Sequence, residues 1–373
     1  MRILIAPDKF KGSLNAREVA ENIADGFREV LPNAIIETLP VADGGEGTAA
    51  AICQARNGEE LKCAAHDALG REIEASYVWL GDRATAVMEM SSAAGMWRID
   101  PKQRDLLRAD TFGVGEMIKD AVRRDAQEIL IGLGGSATND GGFGMARALG
   151  FQFLANEHEI ETPTELVNLA RIKAPVSRFS ATITAAVDVR NPLLGPRGAT
   201  RTFGPQKGGT PEQLEMLESG LTRLADVVAR DLGCDYRGKP GAGAAGGLGF
   251  GLMSFCGATI KSGFDVVAEF VGLKNAVAKA DVVITGEGRL DEQSLEGKAP
   301  AGVARMAREA GKRVFAIVGR ASQDRKVREI FDGIRELAGP GMDQRESISR
   351  APELLRVRAS ELAREIQKDF ADQ

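Results

Sequence analysis

The sequence predicts an α/β protein of two domains: a parallel-sheet domain built from both chain ends, and an inserted second α/β domain containing a mixed or antiparallel sheet. Three observations carry this expectation. Strand-like and helix-like segments alternate over residues 1–60 and again from residue 281 onward, which is the rhythm of βαβ units. Between those stretches, closely spaced strand patterns separated by turn residues replace the alternation. At 373 residues, with 43% hydrophobic content, the chain is long enough to form two separate cores.

In chain order, residues 2–6 are a short apolar run that reads as a strand. Ala16, Val19, Ala20, Ile23, Phe27 and Val30 then recur at helical spacing behind Asn15, with Glu18 three residues on, the pattern of a capping box. Residues 34–39 supply a second strand and 48–56 a second helix, ending at Asn57-Gly58. Past Gly58 the strand candidates 60–66, 71–80 and 84–90 are separated by Asp67-Ala68-Leu69-Gly70 and Gly81-Asp82-Arg83, which read as the tight turns of an antiparallel meander. Late in the chain, 281–285 and 313–319 are apolar strand runs with a helix over 299–310 between them, and a last helix covers 352–367. The domains are therefore expected at residues 1–60 with 264–373, and at 61–263. The glycine- and alanine-rich run 241–251 is the nearest thing to a linker, but Leu248, Phe250, Leu252 and Phe255 follow at once and read as a buried helix.

Bulk properties exclude several function classes. A formal net charge of −5, with basic residues scattered rather than clustered, offers no attraction for nucleic acid or an anionic membrane, and points to a small-molecule partner. Cys53, Cys63, Cys234 and Cys256 show neither a CxxC pair nor metal-ligand spacing and read as buried thiols in a reducing compartment. No window approaches the ~20 apolar residues of a membrane span, and no charged n-region with an apolar stretch opens the sequence, so the expected location is cytoplasmic. His66 reads as a strand end and His158 as part of a polar turn, which leaves little for a histidine triad or a zinc site. Neither GxxxxGK[ST] nor a helix-opening GxGxxG is present, so P-loop and standard dinucleotide-binding units are unsupported.

Glycine gathers at five loops, each beside an expected strand end or helix start. They are Pro7-Asp8-Lys9-Phe10-Lys11-Gly12-Ser13, Ala42-Asp43-Gly44-Gly45-Glu46-Gly47-Thr48, Gly132-Leu133-Gly134-Gly135-Ser136-Ala137-Thr138-Asn139-Asp140-Gly141-Gly142, the run 241–251, and Thr285-Gly286-Glu287-Gly288-Arg289-Leu290-Asp291. Glycine lets an anion approach the main chain without a Cβ in the way, and amides at such places can face a phosphate. Phosphoryl transfer needs a phosphate cradle, carboxylates for Mg²⁺, and cations for the charge on the transferring group. Lys9, Lys11, Lys207, Arg289 and Lys298 are candidate cations; Asp43, Glu46, Asp140, Asp188, Glu287 and Asp291 are candidate magnesium ligands or bases. Each has an ordinary alternative: a loop lysine as a solvated charge, and an aspartate before two glycines, as at Asp43 and Asp140, as turn chemistry. Asp188 differs, because it ends the apolar run 183–187 and precedes Arg190-Asn191-Pro192, a strand-end position suited to catalysis.

The assignment that follows places Asp188, Lys9 and Lys298 in catalysis. Lys11, Ser13, Gly44, Gly45, Gly134, Gly135, Ser136, Gly286, Gly288 and Arg289 fall to nucleotide binding, and Asp43 and Asp291 to the metal. Asp43 is the competitor of Asp188 for the base.

The motif series formed by Ala6-Pro7-Asp8-Lys9-Phe10-Lys11-Gly12-Ser13, residues 42–48, residues 134–142, Phe203-Gly204-Pro205-Gln206-Lys207-Gly208, residues 241–249, and 285–291 with Gln293-Ser294-Leu295-Glu296-Gly297-Lys298 closely resembles that of type-1 glycerate kinases. The resemblance runs in the family's order across nearly the whole chain. It implies a Rossmann- or flavodoxin-like domain made from both termini, ATP and Mg²⁺ as co-substrates, and D-glycerate as acceptor, with 2-phosphoglycerate as the expected product. A homo-oligomer is compatible with it. The segments 104–111 and 319–322 are less typical of the family. Two rival readings stay open at this point: a galactokinase- or homoserine kinase-type enzyme, whose glycine- and serine-rich loop residues 134–138 superficially resemble, and a non-catalytic sensor that binds an anion or nucleotide.

Overall fold

The computed structural model describes residues 1–156, 158–176, 180–292, 299–339 and 342–371. The chain separates into two compact units, one comprising Met1–Asp43, Ala50–Arg56 and Phe264–Gln373, the other Gly44–Ala49 and Asn57–Gly263.

The first unit is built on a parallel sheet in the spatial order Ile35–Thr38, Arg2–Ile5, Val282–Thr285, Arg313–Val318, Gly333–Glu336. Numbered along the chain this is 2-1-3-4-5, the order of a flavodoxin-like sheet. Ile3 pairs with Ile36 on one side and Val282 on the other, so the two ends of the sequence share one central strand pair. Its central strands are apolar almost throughout because both faces are covered. Ile3, Ile5, Val282, Ile284, Phe315 and Ile317 face a core shared with the helices Ala16–Val30 and Ala351–Ala371, while Ala299–Glu309 packs against Val282–Thr285 and Arg313–Val318.

The helix Ala16–Val30 starts where the sequence says it should. Asn15 Oδ1 accepts from the Glu18 amide at 2.9 Å, and Glu18 Oε2 accepts from the Asn15 amide at 2.9 Å. This reciprocal pair satisfies two donors that the helix cannot satisfy itself. Further along, Gly26 has no room for a side chain: a Cβ there would lie 2.4 Å from the Arg356 carbonyl oxygen and 2.7 Å from the Ala359 Cβ. Ser360 Oγ donates to the Gly26 carbonyl at 3.0 Å across the same contact.

The second unit carries a six-stranded mixed sheet in the order Glu59–His66, Glu72–Leu80, Thr85–Glu89, Glu128–Gly132, Thr182–Val187, Thr259–Ser262. The first three strands form the expected antiparallel meander, and Asp67 Oδ1 closes its first turn by accepting from the amides of Leu69 at 2.9 Å and Arg71 at 3.0 Å. From Thr85–Glu89 onward the pairing is parallel. A small antiparallel sheet of His158–Glu159, Gln152–Ala155 and Arg171–Lys173 stands apart from it. His158 is thus a strand residue paired with Ala155, not part of a turn; Asn156, with φ 56°, supplies the bend instead. The long helix Pro211–Leu232 also opens on a capping box, from Thr210 and Gln213.

The run 241–251 is no linker. It enters the buried helix Ala244–Cys256, which is kinked near its start, where Ala245, Gly246 and Gly247 all have positive φ. A Cβ on Gly246 would lie 2.0 Å from the Thr138 carbonyl oxygen, and one on Gly251 2.7 Å from the Gly142 Cα, so two glycine-rich segments meet backbone to backbone. Of the cysteines, Cys63 alone is fully buried; Cys53, Cys234 and Cys256 are half-buried, which narrows the expectation of buried thiols. Among the described residues no helix is long and apolar enough to cross a membrane.

Candidate active site

In an open parallel sheet, ligands bind beyond the carboxyl ends of the strands where the strand order reverses. In the first unit that place lies between Arg2–Ile5 and Val282–Thr285. The chain leaving each strand is held close to its neighbour: Ala6 donates to the Ile284 carbonyl at 2.7 Å, Asp8 to the Gly286 carbonyl at 2.8 Å, and Thr285 Oγ1 to the Ala6 carbonyl at 2.8 Å. On the other side Val41 donates to the Pro7 carbonyl at 3.0 Å, which brings the residues after Ile35–Thr38 alongside. Three acidic residues follow these strands, namely Asp8, Asp43 and Glu287. Asp8 and Glu287 are buried and Asp43 half-buried. Burial, then the charge of Asp43 and more weakly that of Glu287, push the Asp8 carboxyl up to about 8, against its hydrogen bond from the Lys9 amide at 2.6 Å.

Of the residues assigned to this unit, Lys9 is half-buried on the same turn, and Gly286 is buried. A Cβ on Gly286 would lie 2.1 Å from the Ile317 carbonyl oxygen. Gly288 runs beside Phe10 and Lys11, a Cβ there lying 3.4 Å from the Lys11 amide nitrogen. Lys11 is exposed, and Ser13 Oγ donates to the Ile348 carbonyl at 3.1 Å. Arg289 is 82% exposed and lies 3.4 Å from Asp291, so the two expected partners of nucleotide and metal are here engaged with one another. Lys298 lies outside the described residues. Among the described residues no group of three or more His, Cys, Asp or Glu side chains is arranged to hold a metal ion by itself.

In the second unit the assigned residues gather at the carboxyl edge of the parallel strands. Gly132 ends Glu128–Gly132, and a Cβ on it would lie 2.5 Å from the Gly44 carbonyl oxygen; one on Gly134 would lie 2.8 Å from the Gly45 Cα. Gly44 itself, at φ 92°, sits over Ala186 and Gly263. Glu89, at the end of its strand, accepts from the amides of Gly47 at 2.9 Å and Ala49 at 3.0 Å. Asp188 leaves the end of Thr182–Val187 at this edge and is half-buried rather than interior. Leu133 donates to the Ala186 carbonyl at 3.1 Å, so the glycine segment 132–142 and Asp188 emerge from adjacent strands. Gly135 is exposed and Ser136 buried.

Two candidates take other roles. Asp140 is fully buried, and its carboxylate accepts from the Thr111 amide at 2.9 Å, Thr111 Oγ1 at 2.7 Å, the Gly142 amide at 3.1 Å and the Gly144 amide at 2.9 Å. Burial pushes its pKa up while these donors pull it down. A carboxylate so enclosed ties two helix starts together, in keeping with the ordinary reading of an aspartate before two glycines. Lys207, expected among the phosphate or carboxylate partners, is 3% exposed. It sits in the turn Pro205–Lys207, and its ammonium donates to Ser136 Oγ and the Thr138 carbonyl, both at 2.7 Å. Burial lowers its pKa to about 7, with the charge of Asp140 acting the other way.

Asp8 is the residue the sequence reading passed over. It lies in the loop 7–13, and only the strand order sets Pro7-Asp8 beside Gly286 and Asp43. The burial of Lys207 was likewise hidden, since Pro205-Gln206-Lys207-Gly208 reads locally as an exposed turn.

The profile of the Glycerate kinase family matches residues 3–367. A glycerate kinase of Bacillus subtilis strain 168 is 44% identical over 329 residues, covering 87% of this chain and 86% of that protein. A glycerate 2-kinase of Escherichia coli K12 is 43% identical over 329 residues, with 87% and 86% covered. The crystal structure of a putative glycerate kinase 2 from Salmonella typhimurium LT2 superposes with a TM-score of 0.88 at 39% identity, covering 100% of this chain and 99% of the other. With the flavodoxin-like strand order, the glycine-lined carboxyl edges and a match from residue 3 to residue 367, the chain belongs to the glycerate kinase family.

Proposed function

We propose that this protein transfers the γ-phosphoryl group of ATP to a hydroxyl of D-glycerate in the cytoplasm, giving 2-phosphoglycerate. The observation that supports this most is the gathering of Gly44, Gly45, Gly134, Gly135 and Ser136 with Asp188 at the carboxyl edge of one parallel sheet. Bare backbone there accommodates anionic oxygens. Asp188 accepts the proton of the glycerate hydroxyl, or orients it, as the bond to phosphorus forms. In the first unit Lys9 balances charge on the transferring group, with Gly286 and Gly288 presenting main chain to the nucleotide. The position of the acceptor hydroxyl follows the name of the Escherichia coli relative, a glycerate 2-kinase.

The acidic residues of the first unit suit Mg²⁺. Asp8 and Glu287 are buried with Asp43 near, and burial, then the charge of Asp43 and more weakly that of Glu287, raises Asp8, so a cation beside it would favour the charged carboxylate. Magnesium is commonly held by one or two carboxylates with substrate phosphates and waters completing its shell, so a full protein cage is not required. Asp43 and Asp8 would hold it; Asp291, engaged with Arg289, fits less well. When bound, the ion neutralises charge on the phosphate oxygens.

A coupled ADP-release assay across a panel of hydroxy acids tests this reading. D-glycerate should be turned over, and glycerol poorly, because it lacks the carboxylate. Phosphorus NMR of the product distinguishes 2- from 3-phosphoglycerate. Comparable turnover of glycerol and glycerate overturns the substrate assignment.

A further inference from the structure

Lys207 is a buried lysine whose ammonium reaches into a glycine segment without presenting itself to solvent. Its Nζ lies 2.7 Å from Ser136 Oγ and 2.7 Å from the Thr138 carbonyl oxygen. These partners lie some seventy residues earlier in the chain, so the contact is made by the fold and not by local sequence. Thr138 is also the residue whose carbonyl is closely approached by Gly246. The segment 134–138 is therefore held from one side by a glycine backbone and from another by a cation.

The chemistry of the pair fixes the direction of its hydrogen bond. An ammonium has three N–H donors and no lone pair, whereas a hydroxyl both donates and accepts. While Lys207 is protonated, Ser136 Oγ can only accept from it, which leaves the hydroxyl's own proton for another acceptor. Ser136 is 5% exposed, and among the described residues its hydroxyl makes no second hydrogen bond. A buried hydroxyl proton without an acceptor is destabilising, so the group favours a ligand that supplies one. It lies in the segment that begins with Gly134-Gly135, at the strand edge where Asp188 also emerges.

We propose that Lys207 is a positioning residue which, by donating to Ser136 Oγ, turns the Ser136 hydroxyl into a donor for an anionic oxygen of a bound substrate, either a phosphate of the nucleotide or the carboxylate of glycerate. This rests on reading the glycine segment as an anion cradle. Lys207 does not touch the anion; in its protonated form it sets the polarity of the group that does. The buried position serves that purpose, since a solvated lysine would be screened and free to rotate away.

The test uses the full-length protein and its variants Lys207→Met, Ser136→Ala and the double variant. Binding of MgATP and of D-glycerate is measured separately by titration calorimetry, with kinetics and thermal unfolding alongside. Ser136→Ala is expected to weaken one of the two ligands by about tenfold, and Lys207→Met the same ligand by as much or more, with the double variant no worse than the poorer single one. The ligand affected identifies the anion. KM for that ligand rises with Kd, while affinity for the other substrate stays within about twofold. Losses that multiply in the double variant, an effect spread over both ligands in step with a lower Tm, or a Ser136→Ala protein that binds both ligands normally would each overturn the proposal. Should Lys207→Met fail to fold, the Ser136→Ala result decides it. Wild-type protein that binds MgATP without phosphorylating glycerate overturns the proposed function and leaves the calorimetric comparison readable; wild-type protein that binds neither overturns both.

Discussion

Gly26 and Arg356 touch through their backbones: a Cβ on Gly26 would lie 2.4 Å from the Arg356 carbonyl oxygen. The two residues stand near opposite ends of the sequence, on the helices Ala16–Val30 and Ala351–Ala371. A methyl group at position 26 must push the helices apart over a face that includes Ile23, Phe27, Leu355 and Leu362. Gly26→Ala is expected to destabilise the first unit by about 1–3 kcal/mol, the usual cost of overpacking, and Gly26→Val by more. Urea unfolding measures it, and a variant as stable as the parent would show that the helices can separate without loss.

Asp188→Asn should keep the fold and the affinity for ATP while kcat falls about a hundredfold or more, within the range seen when a general base is removed. Asp43→Asn is the comparison. If Asp43→Asn lowers kcat at saturating Mg²⁺ and Asp188→Asn does not, the roles of the two carboxylates are reversed.

Lys9→Ala and Lys298→Ala are each expected to lower kcat/KM by at least about tenfold, equivalent to roughly 1.4 kcal/mol of lost transition-state stabilisation, with unfolding curves unchanged. Near-normal kinetics in both would return these lysines to the status of surface charges.

Asp8→Asn removes one member of the acidic group of the first unit. The concentration of Mg²⁺ giving half-maximal activity should rise by about tenfold or more, whereas Asp291→Asn should shift it little, because Asp291 is engaged with Arg289. A magnesium titration of the steady-state rate at fixed ATP separates the two, and equal shifts would restore Asp291 as a ligand.

Lys207 gives a pH dependence with a definite sign. Its pKa is lowered to about 7 in the folded protein and takes the ordinary lysine value of about 10.4 when unfolded. Between those values the unfolded chain binds the extra proton, so stability from this group rises as pH rises through the window and is lost as pH falls towards 7. Relative to Lys207→Met, the wild type should therefore gain stability from pH 7 to pH 9.5. Denaturant unfolding at both pH values checks it; a constant difference would mean that Lys207 stays charged throughout, held by Asp140 and its two acceptors.

The parts of this architecture legible in the sequence are those governed by local rules. Asn15 with Glu18 announces a capping box, Thr48–Arg56 is bounded by Asn57-Gly58, and the meander is punctuated by Asp67 and Gly70. What local rules miss is set by partners distant in sequence. Thr85–Glu89 is read as the last strand of a meander, and its parallel pairing with Glu128–Gly132 depends on a helix, Phe112–Arg123, that folds back over the sheet. Asp140 and Lys207 look like surface charges beside glycines, and only the packing of residues 134–144 against Thr111 and the turn Pro205–Lys207 reveals both as interior. The glycines were easier to read, because so many approach another backbone and exclude a side chain whatever the sequence around them.

The pairing of Ile3 with Val282 also sets an order of events during synthesis. A chain emerging from its N-terminus presents Arg2–Ile5 and Ala16–Val30 long before the strand and the final helix that cover them have been made. The intervening unit, Asn57–Gly263, holds all six strands of its sheet and can close while the rest is still being translated. Meanwhile Ile3, Ile5, Ile23 and Phe27 remain uncovered until Ala351–Ala371 leaves the ribosome, a window in which apolar surface is open to wrong partners. Chaperone dependence in this protein should therefore fall on its first residues, and a chain cut short before residue 351 should accumulate with its second unit folded and its first unit open.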